Sequence, residues 1–206
     1  MREIPPPLQS FMLYHRSMRA DARRLVEALT VEGDDNRRER LARWFDHFRR
    51  ACVIHAEGED KVLWPALLSS RHDVAGAVAH MEAEHAALTD TLDDLHEALA
   101  GGRPLAEARP HAARLVELID THLDREEGEP LEAVVESFPG EALGELMRRI
   151  QQSAGPDGPP VAVPFLLAHA TDEEKQAVLA ALPPPLREGY ETSWRAAYAE
   201  LCEVLS

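Results

Sequence analysis

Apolar residues recur along the first two thirds of the chain at the three- and four-residue spacing of helices that bury one face. From about Leu8 to Thr30 the stripe reads Leu8, Phe11/Met12, His15, Met18, Ala22, Leu25/Val26, Leu29. From about Arg37 to Leu68 it reads Leu41, Phe45, Phe48, Cys52, His55, Glu59, Val62/Leu63, Leu67, with Gly58 or Pro65 as the place for a bend. A third stripe, about Val74 to Ala100, carries Ala77, Met81, His85, Leu88, Leu92, Leu95 and Leu99. A fourth starts at Leu105 or Pro110 and reaches Phe138 through Leu115, Leu118/Ile119, His122, Glu126, Leu131 and Val134/Val135. The EGDDN run at 32–36 ends the first helix, and its Asp35 or Asn36 can cap the second. Gly101-Gly102 stops the third. Strand-like alternation is almost absent. Four long helices on short turns predict an all-α, up-down-up-down four-helix bundle.

Beyond the bundle, Glu141 to Gln152 reads as a fifth helix after Pro139-Gly140. The stretch SAGPDGPPVAVP (153–164) reads as a loop or linker by its proline and glycine content. A short helix comes next, near Thr171 to Leu182, then the PPP break at 183–185 and a last helix near Leu186 to Leu205. Residues 1–152 are therefore expected to form the bundle. Residues 153–206, too few to fold alone, form a helical extension that packs on it or meets a second subunit.

With 45% hydrophobic and 29% charged residues, the 206-residue chain has the composition of a globular domain and not of a disordered one. A formal net charge of −15 argues against nucleic acid and anionic membranes as partners. Arg37, Arg38, Arg40 and Arg43 read as a solvated helix face. No apolar run approaches the roughly 20 residues of a membrane span, and MREIPPPLQS lacks the apolar core of a secretory signal. The expected location is the cytoplasm. Two cysteines cannot build a disulfide framework, and Cys52, on an apolar stripe, is expected in the core.

The chemistry lies in the polar residues that interrupt the stripes. A buried imidazole or carboxylate without partners costs several kcal/mol. Yet each long helix carries one histidine in its stripe (His15, His55, His85 and His122), and two add a glutamate one turn on, Glu59 and Glu126. Residues four apart share a helix face, so each His-x-x-x-Glu pair can serve one centre. Four nitrogens and two carboxylates facing a common core suit iron, manganese or zinc, and two opposed glutamates can bridge two metals. The order "helix with His, then helix with His-x-x-x-Glu" occurs twice, in HAEGED at 55–60 and HLDREE at 122–127, as expected of internal pseudo-twofold symmetry. Asp60 and Glu127, next in sequence to the glutamates, read equally as acceptors of hydrogen bonds from the histidines and as exposed acids. His47, His72, His96, His111 and His169 read as helix-face or solvated residues. No nucleophile–base arrangement, phosphate loop or Rossmann glycine run is present.

HRSMRADARRL at 15–25, HAEGEDKVLWPAL at 55–67, EHAALTDTL at 84–92 and HLDREEGEPLEAV at 122–134 resemble the hemerythrin-like, HHE cation-binding family over about residues 8–137. The resemblance implies a non-haem centre of two iron ions (Fe2+/Fe3+) with an oxo or hydroxo bridge, His15, His55, His85 and His122 as terminal ligands, and Glu59 and Glu126 as bridges. One position departs from the oxygen carriers of the family. Their third helix has two histidines four apart, and Met81 stands where the first would be. His80, a water or another side chain is left to fill that place. Such a centre would bind or sense O2, NO, H2O2 or iron itself. The alternatives are a di-iron enzyme that disproportionates peroxide, repairs iron–sulfur clusters or oxygenates a substrate, and a structural bundle with a vestigial site. The tail looks like the extension of some bacterial members, through which the chain could form an oligomer.

Overall fold

The computed structural model describes residues 4–31, 33–101 and 104–205; Glu32 and Gly102 of the expected turns lie outside them. Helices run over α1 (Gln9–Ala28), α2 (Asp35–Gly58), α3 (Trp64–Ser70), α4 (Ala75–Ala100), α5 (Leu105–Glu126), α6 (Glu129–Ser137), α7 (Glu141–Ser153), α8 (Pro159–Leu167), α9 (Asp172–Ala181), α10 (Pro184–Gly189) and α11 (Arg195–Cys202), with no strand among the described residues. No described helix is long and apolar enough to cross a membrane. Helices α1, α2, α4 and α5 form the bundle, α5 packing on α1 and α4, and α4 on α2.

Two departures from regular helix shape the bundle. The second long helix is continuous to Ser70 but widens into a π-helical turn at Glu59–Leu63. Pro65 explains the widening: it has no N–H for the Lys61 carbonyl, and its ring would clash with that carbonyl in a regular helix. The extra residue rotates the remainder of the helix, so Leu63, Trp64 and Leu67 are buried while Val62 is not fully so. The fourth long helix does not run through to Phe138; it breaks after Glu126 at Gly128, and Pro130 opens α6. Helix α2 starts two residues earlier than expected, capped by Asp34 instead of Asp35 or Asn36: the Asp34 side chain accepts from the Arg37 N–H at 2.9 Å.

The 153–164 stretch is not all loop. Pro159 and Pro160 occupy the first turn of α8, where a missing N–H costs nothing, and Val161, Val163, Phe165, Leu166 and Leu167 are buried. Helix α8 packs on both α1 and α2, and its apolar residues join the core that holds Leu25, Phe45, Phe48, Leu92, Leu95 and Leu115. A second core at the other end gathers Leu8, Phe11, Leu63, Trp64, Leu67, Met81, Leu131 and Leu146. Each fully buried large side chain contributes about 1.5–3 kcal/mol. Cys52 lies in the first core as a free thiol.

Candidate metal centre

Between the two cores lies a layer of six polar side chains. Along every bundle helix the same change occurs: Phe11 then His15 then Met18 in α1, Cys52 then His55 and Glu59 then Leu63 through α2 and the wide turn, Met81 then His85 then Leu88 in α4, Ile119 then His122 and Glu126 then Leu131 in α5 and α6. None of the six is more than 7% exposed. The structure thus brings together His15, His55, Glu59, His85, His122 and Glu126.

The imidazoles meet in pairs. Nε2 of His15 lies 3.0 Å from Nε2 of His55, and Nε2 of His85 lies 3.2 Å from Nε2 of His122. The carboxylates sit between the pairs. Glu59 places one oxygen 2.8 Å from His55 Nε2 and the other 3.2 Å from His85 Nε2; Glu126 Oε2 lies 3.4 Å from His15 Nε2 and 3.8 Å from His122 Nε2. Two groups of ligand atoms result, one from His15, His55, Glu59 and Glu126, the other from Glu59, His85 and His122, each compact enough to hold a metal ion. Glu59 belongs to both.

The outer nitrogens fix the direction of the inner ones. Nδ1 of His15 is 2.9 Å from Glu127, Nδ1 of His85 is 2.8 Å from Asp60, and Nδ1 of His122 is 3.1 Å from Glu84. Two of these carboxylates are themselves held by arginines: Glu127 by Arg19 at 2.6 Å and Glu84 by Arg125. A ring that donates from Nδ1 turns the Nε2 lone pair inward, the arrangement that orients histidine toward a cation. Sequence reasoning misses Glu84 in this place, because His80, four residues earlier, is its natural helical partner. His80 is instead at the surface, its Nε2 3.4 Å from Glu84 and its ring outside both groups. Met81 is fully buried in the second core. Of the remaining histidines, His169 is not simply solvated: its Nε2 lies 2.8 Å from the buried carboxylate of Asp21.

The residues fit a cation and fit poorly without one. All four oxygens of Glu59 and Glu126 are buried and none receives a well-directed hydrogen bond, a cost of several kcal/mol for charged groups. Protons take up part of the strain. Burial pushes the Glu126 carboxyl well above its ordinary value, and the charge of Glu59 adds to the effect. Burial also acts on Glu59, but His55 and His85 outweigh it and hold that carboxyl below the usual range. Burial lowers His15 and His122 to about 4. His85 goes the other way: burial pulls it down, but the hydrogen bond with Asp60 and the nearby charge of Glu59 outweigh that and raise it to about 10. Both upward shifts favour the protonated forms of His85 and Glu126, which offset negative charge in a dry layer of donors.

Cavities among the described residues touch the layer. One of about 20 Å³ is bounded by Met18, Cys52, His55, His85, Leu88 and His122 among others. Another, of about 160 Å³, lies between α1, α2 and the helices from α7 to α10, with Phe11, Tyr14 and His55 in its wall.

Compared with known proteins, residues 7–134 match the family model of the Hemerythrin HHE cation binding domain. No curated protein and no solved structure matches the chain.

Proposed function

The chain belongs to the hemerythrin HHE cation-binding domain family, and on that premise we propose that it holds a pair of iron ions and binds a small ligand such as O2, NO or H2O2 beside them. The observation that carries this reading is the set of four donorless carboxylate oxygens enclosed with four inward imidazole nitrogens. His15 and His55 would hold one ion and His85 and His122 the other, with Glu59 and Glu126 between. Manganese or zinc suits the same donors. When bound, the iron pair supplies positive charge and one-electron redox capacity.

The protein's own groups do the rest. Glu127, Asp60 and Glu84 keep three imidazoles oriented, and the two apolar cores keep bulk water from the layer. Met81, where a donor would complete one ion's shell, gives the site one nitrogen fewer. The 20 Å³ cavity against His55, His85 and His122 is large enough for one water-sized molecule. That size favours a diatomic or peroxide over any organic substrate at this face.

The test is iron analysis of the full-length protein with an ultraviolet–visible spectrum before and after nitric oxide or azide. About two iron ions per chain and a spectrum that responds to the added ligand are expected. Iron bound at that level with no response to either molecule would refute ligand binding, and absence of any bound metal would refute the whole reading.

A further inference from the structure

Three of the four layer imidazoles have a carboxylate on Nδ1; His55 does not. No described group holds its second nitrogen. Its ring instead stacks on Tyr14, with centroids 5.1 Å apart and planes 10° apart, and forms part of the wall of the larger cavity. The extension builds the far side of that cavity with Ala162, Val163 and Leu166 of α8, Val178 of α9 and Leu186 of α10. The Tyr14 hydroxyl is committed elsewhere, donating to the Ala51 carbonyl at 3.0 Å. None of the lining residues is charged, so an anion buried there would meet no counter-charge from the wall.

At about 160 Å³ the space is close to that of an apolar cavity of roughly 150 Å³ that takes up benzene. We propose that this cavity binds an uncharged organic molecule about the size of a six-membered ring, apolar except for one oxygen that accepts a hydrogen bond from His55 Nδ1. The proposal rests on the metal-centre reading, because Nε2 engaged with a cation leaves Nδ1 as the donor. The molecule would then occupy for His55 the place that Glu127, Asp60 and Glu84 occupy for the other three rings. By linkage its binding and the metal's would influence each other.

The experiment uses the full chain, zinc-loaded and metal-free, with cyclohexanone, benzene and benzoate as probes and backbone amide shifts of cavity residues as the readout. In zinc-loaded protein cyclohexanone should bind about tenfold more tightly than benzene, the ratio one hydrogen bond of about 1.4 kcal/mol confers, and benzoate should bind most weakly. Ala162→Phe, or Leu186→Phe from the rim should the first variant not fold, should abolish cyclohexanone binding with zinc content unchanged. Equal binding of benzene and cyclohexanone, tightest binding of benzoate, or no binding by any probe would overturn the proposal. Zinc is measured in the same samples: zinc bound without cyclohexanone binding defeats the cavity alone, whereas cyclohexanone binding to a chain that takes up no metal defeats the metal centre.

Discussion

Removing the Asp21 carboxylate should loosen the extension from the bundle. Asp21 is fully buried on α1 and accepts from the Tyr198 hydroxyl of α11 at 2.9 Å and from Arg24 at 3.0 Å, with His169 Nε2 2.8 Å away. In Asp21→Ala the buried Tyr198 hydroxyl loses its acceptor, worth about 1–3 kcal/mol. The His169 contact adds about 1 kcal/mol. Arg24 is a third exposed and can turn to water, so its pair adds about 0–1 kcal/mol. The sum, about 2–5 kcal/mol, matches the cost of breaking a buried ionic network. For a chain of this size it corresponds to a fall in Tm of roughly 5–20 °C. Thermal unfolding by circular dichroism measures it, and a double-mutant cycle of Asp21→Ala with Tyr198→Phe isolates the central hydrogen bond, with a coupling of about 1 kcal/mol expected. An Asp21→Ala protein within about 0.5 kcal/mol of the parent, or a coupling near zero, would refute the reasoning.

Other residues carry their own expected outcomes. Zinc uptake should release a proton, because the metal-free protein keeps one on His85, raised to about 10, whereas His15 and His122, at about 4, are already neutral at pH 7; the upward push of burial on Glu126 acts in the same direction. Metal affinity should therefore fall as pH falls, and calorimetry in two buffers of different ionisation enthalpy should show the release; identical heats would contradict it. A Cβ at Gly58 would come within 2.9 Å of Ile150 Cγ2, where α7 lies on the bundle, so Gly58→Val should cost about 1–3 kcal/mol by overpacking, and the added change Ile150→Ala should recover most of it in urea unfolding. Thr171→Ala removes the capping box of α9, in which Glu174 N donates to Thr171 Oγ1 at 3.2 Å, and should lower stability by about 1 kcal/mol, seen as a shift in the urea midpoint.

Periodicity encodes some features of this molecule and not others. His15, His55, His85 and His122 are legible because a polar residue in an apolar stripe stands out, and the doubled His-x-x-x-Glu marks Glu59 and Glu126; which carboxylate meets which imidazole is not legible, since Glu126 groups with His15 and His55 while Glu59 serves both groups. Asp60 and Glu127 are legible from adjacency. Glu84 is not, because its partner His122 comes from a neighbouring helix while His80 sits at the usual helical distance in sequence. Helix α8 escapes a sequence reading because Pro159 and Pro160 look like a break when their place in a first turn is unknown. The wide turn at Glu59–Leu63 leaves only Pro65 as a trace, and the break at Gly128 only Pro130. Asp21 does carry a usable signal: it lies beside Met18, Ala22 and Leu25 on the face that turns inward.

The central claim is that the inward imidazoles and the two carboxylates share a pair of cations. Anomalous diffraction from crystals of the iron-loaded full chain tests it most directly. Two peaks are expected, one between His15 and His55 and one between His85 and His122, each within reach of Glu59 and Glu126. A layer that stays free of metal under full iron loading, or metal bound only at surface carboxylates away from these six side chains, would contradict it.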